Sequence, residues 1–229
     1  MERRAKKGNK KMKAFTNTPI TKEKFIQHLK KHQEMDAFEK GHYGQGFEMG
    51  DEKFKGCAVG CSLRSVALEL GIEISTKDHS LYEKYLGIPR WLAHVEDKVF
   101  EDLPLEKSKN WPLEFAKAVK VGADLDKVKV PFLIFVLESC LEYVQGENHH
   151  KQKEVIKEVI NLYKRKDKVG AREWEKAVVV AYAAGYTGSA GYTTAYAAEV
   201  AGYTTDYTAE TAAYEKFAEK LLELMRECE

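Results

Sequence analysis

The chain of 229 residues is long enough to bury a substantial core, and its 44% hydrophobic and 32% charged residues are typical of a globular protein. A formal net charge of +1 excludes a protein that binds polyanions over its whole surface. Four cysteines are too few for a disulfide scaffold, which favours a reducing compartment. We find no secretory signal pattern, and the longest apolar patch, residues 131–137, is too short to cross a bilayer. We therefore expect a cytosolic protein.

The first segment, residues 1–18, is strongly basic and poor in apolar side chains, which predicts a disordered arm. An arm of this kind can bind nucleic acid, because each phosphate that it neutralises releases counterions. Aromatic side chains that would stack on bases are not interleaved with these basic residues. We therefore interpret the arm as a solubilising tail, and expect nucleic acid as a partner only if it binds there.

The second segment, residues 19–146, carries helical apolar patterns and is expected to form an all-α core domain, an irregular multi-helix bundle. Thr21 is a suitable N-cap for the first helix, whose pattern extends to Lys40. A second helix is predicted from about Cys57 to Gly71. Further helices are predicted to end at Gly87 and to begin at Pro89, Trp111 and about Gly122.

Between the first two helices, residues 41–56 form a glycine-rich loop. Tyr43, Phe47 and Phe54 can anchor this loop by packing their rings on the core. A loop of this length inside a compact domain is often functional. It leads into the stretch Gly56-Cys-Ala-Val-Gly-Cys61, which places two glycines and two cysteines at the predicted start of a helix.

Three interpretations of Cys57 and Cys61 remain open. A Cys-x3-Cys pair on one helix face can bind a metal ion if His79 or His94 completes the ligand set. A cysteine at a helix N-terminus has a lowered pKa, and a histidine base would then make the protein a cysteine-dependent enzyme. In the third interpretation, which we prefer, the two glycines allow close helix packing and the cysteines are small buried hydrophobic residues.

The same stretch can also hold an anion, because Lys55 and the backbone N–H groups from Gly56 to Gly60 would face a phosphate or carboxylate. No nucleotide-binding motif is complete here, since Gly-Lys-Ser/Thr is missing and no strand precedes the loop. Glu96 and Asp97 are acid–base candidates, but adjacent helix residues point in different directions and do not form a carboxylate pair. The predicted ligand-binding residues are Tyr43, Phe47, Phe54, Lys55, Gly56, Cys57, Gly60, Cys61, Trp91 and His94.

The third segment, residues 147–229, is expected to be a helical region that packs on the core. Tyr192, Tyr203 and Tyr214 recur every eleven residues, or three turns of about 3.67 residues, which places their rings along one side of a helix. The Tyr-Thr-Thr units are also compatible with strands. An unbroken helix here would exceed a compact domain, so we predict a break or kink within residues 185–191. A tyrosine stripe that the core leaves uncovered would mediate a homo-oligomer.

Four strings occur together in the order Gly56-Cys-Ala-Val-Gly-Cys-Ser-Leu63, Leu86-Gly-Ile-Pro-Arg-Trp-Leu-Ala-His-Val-Glu-Asp97, Trp111-Pro-Leu-Glu-Phe115 and Val121-Gly-Ala-Asp-Leu125. In these strings the chain resembles a group of uncharacterised phage and bacterial proteins with a Lys-Gly-Cys-Ala-Val-Gly-Cys motif and a C-terminal helix of small-residue repeats. The resemblance covers residues 20–145 by motif and implies a phage or bacterial origin, but no activity. The tail is also similar in composition to that of an all-α immunity-protein family from toxin systems.

We therefore expect a non-enzymatic binding protein of phage or bacterial origin in the bacterial or host cytosol. Its binding surface would comprise residues 41–61 together with Trp91 and His94. Its partner would be a small anionic or nucleotide-like ligand that it sequesters, or a protein that it inhibits, and not a membrane. The alternatives are a cysteine-dependent enzyme that uses Cys57 or Cys61 and a toxin-immunity-like interaction protein. No catalytic residue, metal ligand or cofactor is predicted.

Overall fold

The computed structural model describes residues 11–44, 54–143, 150–165 and 207–229, and α-helices are the regular secondary structure of these four ranges. This confirms the predicted all-α fold. The helices are α1 (Lys22–Glu34), α2 (Ala58–Leu70), α3 (Leu81–Leu86), α4 (Arg90–Asp102), α5 (Leu105–Ser108), α6 (Trp111–Ala118), α7 (Asp126–Tyr143), α8 (His150–Lys164) and α9 (Tyr207–Glu227). Within the described ranges, none of them combines the length and the apolar character that crossing a membrane requires.

The helix ends follow from local sequence signals, with one correction. Thr21 caps α1 as predicted, because its hydroxyl accepts a hydrogen bond from the backbone N–H of Lys24. The helix ends at Glu34 and does not continue to Lys40. The chain reverses there through Asp36, which has a φ of 50°. The apolar residues beyond Glu34 therefore pack from a turn and not from a helical face.

Helix α2 lies at the centre of the fold. Its residues from Ala58 to Ala67 are all buried, and it packs against α1, α3, α4 and α6. A helix surrounded in this way is expected to be mostly apolar or small, and the charged residue that it buries, Arg64, lies against the ring of Phe54. Gly71 ends it in the left-handed conformation, with φ 61°, as the sequence predicts. The motif that begins α2 is therefore held between several other elements.

The N-terminal segment requires a second correction, because residues 11–18 pack on the core and are not a disordered arm. Ala14 and Phe15 are buried, and the N–H of Ala14 donates to the carbonyl of Ala123 at 3.0 Å. The N–H of Phe15 donates to the carbonyl of Leu86 at 2.8 Å. These two apolar side chains and the backbone hydrogen bonds outweigh the basic character of the segment. Residues 1–10 of the predicted arm lie outside the described residues.

The C-terminal helix α9 packs on α4, α6 and α7, and Tyr214 is buried with 2% of its surface exposed. The predicted packing of the C-terminal region on the core therefore holds for this helix. Tyr192, Tyr203 and the predicted break in residues 185–191 lie outside the described residues. The boundary proposed between residues 146 and 147 also lies outside them.

Candidate functional site

Side chains from four segments meet at the carboxylate of Asp97, in the middle of α4. The hydroxyl of Tyr43 donates to Asp97 Oδ2 at 2.9 Å, and His79 Nε2 lies 3.3 Å from the same oxygen. The Sγ of Cys57, a carboxylate oxygen of Asp97 and one of Glu101 all lie within 4.8 Å of one another. We call these five residues, Tyr43, Cys57, His79, Asp97 and Glu101, the Asp97 cluster.

Gly56 and Gly60 bring the loop at Tyr43 onto the start of α2. A Cβ atom at Gly60 would lie 2.2 Å from the carbonyl oxygen of Tyr43, and one at Gly56 would lie 3.0 Å from Gly44 Cα. The N–H of Gly56 also donates to Ala37 at 2.9 Å, in a short parallel bridge between Phe38 and Gly56. The close packing that we predicted for the two glycines is thus what places Tyr43 in the cluster.

Cys57 is the N-cap of α2, and its Sγ accepts a hydrogen bond from the N–H of Gly60 at 3.4 Å. A helix N-terminus alone would lower the pKa of this thiol. Burial raises the pKa far above its usual range, and the nearby carboxylate of Asp97 raises it further. The thiol of Cys57 is therefore protonated at neutral pH in the ligand-free protein.

The two carboxyl groups of the cluster differ in their partners. Burial opposes ionisation of Asp97, but interactions with His79, Cys57 and Tyr43 outweigh it and lower the pKa. Its second oxygen, Oδ1, is buried without a hydrogen-bond partner. Burial and the charge of Asp97 raise the pKa of Glu101, although the N–H of Gly41 donates to its carboxylate at 2.9 Å.

Cys61 faces away from the Asp97 cluster. Its thiol donates to the carbonyl oxygens of Gly56, at 3.4 Å, and Ala37, at 3.6 Å. Burial raises the pKa of this thiol as well. Among the residues with described side chains, the group of possible metal ligands found around Cys57 contains Asp97 and Glu101 but not Cys61. The two cysteines consequently have different surroundings and do not form the metal-binding pair that their spacing suggested.

Of the two predicted residues on α4, His94 reaches the cluster. Its ring stacks on that of His79, with centroids 4.0 Å apart, and is exposed on its outer side. Trp91 instead donates from Nε1 to Asp126 on α7, at 3.1 Å, and Lys129 lies over its ring. The structure therefore assigns Trp91 to the contact between α4 and α7.

Two more of the predicted ligand-binding residues, Phe54 and Lys55, have described positions outside the Asp97 cluster. Lys55 is exposed, and its ammonium lies 3.7 Å from Glu39. Phe54 is buried beside Arg64, whose guanidinium lies 5.4 Å from the centre of the ring. Phe47 lies outside the described residues. Glu101 was not among the residues predicted from the sequence. Its i, i+4 spacing from Asp97, which places both side chains on one helix face, could have indicated it.

Glu96 points the other way, as expected for the neighbour of Asp97 on a helix. It is 1% exposed, and neither of its carboxyl oxygens has an aligned hydrogen-bond partner. The buried hydroxyls of Tyr82 and Ser62 lie on this side, and Tyr82 interacts with both Ser62 and Glu96. Burial raises the pKa of Glu96 to about 8. We call Ser62, Tyr82 and Glu96 the Glu96 group.

Comparison with protein-family models, curated proteins and solved structures found no match to this chain.

Proposed function

We propose that this chain is a non-enzymatic binding protein and that its ligand carries positive charge and binds at the Asp97 cluster. The observation that supports this proposal is the placement of two carboxylates and a thiol within 4.8 Å of one another in a partly buried site. Two carboxylates at this distance repel each other, and burial increases the cost. A cation between them would offset both the repulsion and the cost of burying the two charges.

The basic groups nearby do not neutralise both carboxylates. The ammonium of Lys40 donates to the backbone carbonyls of Glu101 and Leu103, so it is held at the end of α4. His79 interacts with Asp97, while its Nδ1 lies 3.3 Å from the carbonyl of Lys77. The side chain of Glu101 is bonded by the N–H of Gly41, which is a neutral donor. An external cation therefore has the most favourable position between Asp97 and Glu101.

Thiol catalysis fits this site poorly. A nucleophilic cysteine must be a thiolate, and the burial of Cys57 next to a carboxylate favours the neutral thiol. Both ring nitrogens of His79 face oxygen acceptors, on Asp97 and Lys77, so this histidine is poorly arranged to accept a proton from the thiol. Binding without covalent chemistry is the function that this geometry supports better.

An anionic ligand also fits poorly at the start of α2. The residues from Ala58 to Gly60 are fully buried, and the N–H of Gly60 already donates to Cys57. The N–H of Cys57 donates to the carbonyl of His42 at 2.8 Å. The carboxylate of Asp97 lies beside Cys57, and its negative charge would repel a phosphate. The proposal therefore replaces the anionic ligand expected from the sequence with a cationic one.

Thermal unfolding in the presence of different ligands tests this proposal. A ligand at 100 times its Kd stabilises by about 2.7 kcal/mol, which raises the Tm of a chain of this size by roughly 5–10 °C. We expect such a shift with polyamines in the presence of a chelator or with divalent metal ions in its absence, and not with phosphate or AMP. A shift with the anions and none with any cation would contradict the proposal.

The variant for this experiment combines Asp97→Asn with Glu101→Gln, which keeps the shape of both side chains and removes their charge. We expect the cation-induced shift to disappear. Glu158→Gln on α8 is the matched control, because Glu158 is exposed and lies on a different helix. A shift that survives in the double variant would place the cation elsewhere and overturn the assignment of the site.

A further inference from the structure

We propose that the cation is a divalent transition-metal ion of the zinc type, bound by Cys57 Sγ, Asp97 and Glu101, with His79 as the fourth donor. This inference rests on the proposed function, because it names the ligand of the same site. Three of the donors come from two rigid elements: Cys57 is the N-cap of α2, and Asp97 and Glu101 lie on successive turns of α4. A metal site on such elements requires little rearrangement of the backbone.

The distances are compatible with tetrahedral coordination. Zinc binds sulfur at about 2.3 Å and oxygen or nitrogen at about 2.0–2.2 Å, so its ligand atoms lie about 3.3–3.8 Å from one another. The three candidate atoms already lie within 4.8 Å. Small rotations of the Asp97 and Glu101 side chains would therefore close the site. Asp97 Oδ1, which is buried without a partner, is the oxygen available for the metal while Oδ2 retains Tyr43.

The ion would also remove the charge imbalance of the site. When it binds, the Cys57 S–H bond breaks, its proton leaves to solvent and the sulfur becomes a thiolate ligand. A proton on His79 Nε2 leaves to solvent in the same way, so that this nitrogen can bind the ion. A divalent cation offsets the charges of Asp97 and Glu101 and stabilises that thiolate. Without a cation, burial penalises every ionised member of the set. The geometry that places Cys57 Sγ beside two carboxylate oxygens therefore suits it as a metal ligand.

His79 supplies the nitrogen donor. Its Nε2 is 3.3 Å from Asp97 Oδ2, next to the three-ligand group, and two further contacts hold its ring. The stack with His94 holds one face, and Nδ1 lies 3.3 Å from the carbonyl of Lys77. A backbone carbonyl on the second ring nitrogen is the usual means by which proteins orient a metal-binding histidine.

The donor set decides the class of metal. Calcium and magnesium prefer shells made entirely of oxygen atoms, whereas a thiol and an imidazole beside two carboxylates favour zinc or a neighbouring transition metal. Four protein donors would saturate a tetrahedral ion. The site would then be a closed one, in keeping with binding and not with metal-assisted hydrolysis.

Cobalt titration of the reduced, untagged full chain tests this proposal, because a thiolate bound to Co²⁺ gives a near-ultraviolet charge-transfer band. We expect one equivalent of Co²⁺ to produce the band and one equivalent of Zn²⁺ to abolish it by displacement. Cys57→Ser should lose the band and weaken Zn²⁺ binding by more than the roughly 10–100-fold that the loss of an outer-shell partner costs. A wild-type chain that binds neither ion would overturn the proposal.

Cys61→Ser is the matched control, because this thiol lies one turn along the same helix and donates to backbone carbonyls, as serine can. We expect its band to equal that of the wild type. Equal bands in Cys57→Ser and the wild type would overturn the assignment of Cys57. If Cys57→Ser does not fold, Asp97→Asn and Glu101→Gln carry the test, and unchanged zinc affinity in both would be the contradicting result.

X-ray absorption at the zinc edge then tests the ligand set. We expect one sulfur and one imidazole nitrogen, and an all-oxygen shell would overturn it. The failure of this inference can be told apart from the failure of the proposed function. If a polyamine stabilises the chain in the presence of a chelator but no metal ion binds, the proposed function stands and the metal site is excluded. No response to either class of cation would remove both.

Discussion

Consecutive carboxyl groups on α4 occupy opposite environments. Asp97 receives hydrogen bonds from side chains of two other segments, so its pKa is lowered although it is largely buried. Glu96 has no aligned hydrogen-bond partner for its carboxyl oxygens, so burial raises its pKa to about 8. At neutral pH the first carboxyl group is charged and the second is protonated.

This difference shows what makes a buried acid useful for binding. The Asp97 cluster keeps negative charge in a partly open site, because donors such as Tyr43 compensate for lost water. The Glu96 group excludes charge, because Tyr82 and Ser62 are neutral and the surroundings are closed. A cation is consequently expected beside Asp97 and not beside Glu96, although the two residues are adjacent in sequence.

Glu96→Gln should give the largest change and sharpen this comparison. The folded pKa of about 8 lies above the ordinary glutamate value of 4.5, so the cost of burying Glu96 is absent below about pH 4.5 and grows as the pH rises to about 8. The neutral amide removes that cost. We expect the variant to gain roughly 3 kcal/mol over the wild type between pH 5 and pH 8, measured by urea unfolding in metal-free buffer.

Glu158→Gln is the control for this pH series, because Glu158 is exposed on α8. Its stability difference from the wild type should not change with pH. The same flat difference in Glu96→Gln would mean that Glu96 is ionised in the folded protein, and the contrast between the two carboxyl groups would fail.

Gly60→Ala should break the Asp97 cluster while leaving the Glu96 group in place. The added Cβ would lie 2.2 Å from the carbonyl of Tyr43, a backbone atom that no rotamer change can move. We expect a loss of roughly 2–3 kcal/mol in the free energy of unfolding and a weakened response to cations, because the loop that carries Tyr43 must shift. Chemical denaturation and thermal shifts with zinc measure the two effects.

Gly71→Ala separates the close packing from the general cost of replacing a glycine. Gly71 has φ 61° and no atom within 4 Å of the added Cβ, so only the left-handed backbone is penalised, by about 1–2 kcal/mol. The cation response should be retained. A Gly60→Ala variant that binds cations as well as Gly71→Ala would show that the Tyr43 loop does not contribute to the site.

The sequence predicted the fold correctly at helix ends, where the outcome depends on residues that are close together in the chain. The N-cap at Thr21 and the left-handed glycines at Gly71 and Gly87 act within a few residues, and each was placed correctly. The N-terminal segment was wrongly assigned because Ala14 and Phe15 are held by backbone hydrogen bonds to Ala123 and Leu86, which are distant in sequence. The composition of a short segment does not predict contacts with residues that are distant in sequence.

The Asp97 cluster was only partly predictable for the same reason. Tyr43 and Cys57 were predicted to bind ligand, His79 was named as a possible metal ligand and Asp97 as an acid–base candidate. The sequence did not reveal which side of α2 would face α4, and that orientation decides between Cys57 and Cys61. Glu101 is also one of many charged residues on helices, and only the packed structure places it beside a thiol.

Tyr43→Phe should give the smallest change, and its comparison with Tyr82→Phe tests the two sides of α4 directly. Tyr43 donates a hydrogen bond to an ionised carboxylate at 2.9 Å, whereas the hydroxyl of Tyr82 is buried without an aligned partner. Removing the first hydroxyl should cost about 1.5 kcal/mol, and removing the second should change stability by less than about 0.5 kcal/mol. Urea unfolding of both variants at pH 7 measures the difference. A larger cost for Tyr82→Phe would mean that a strong hydrogen bond joins Tyr82 to Glu96. The Glu96 group would then be a satisfied polar network and not a site at which burial outweighs the interaction with Tyr82.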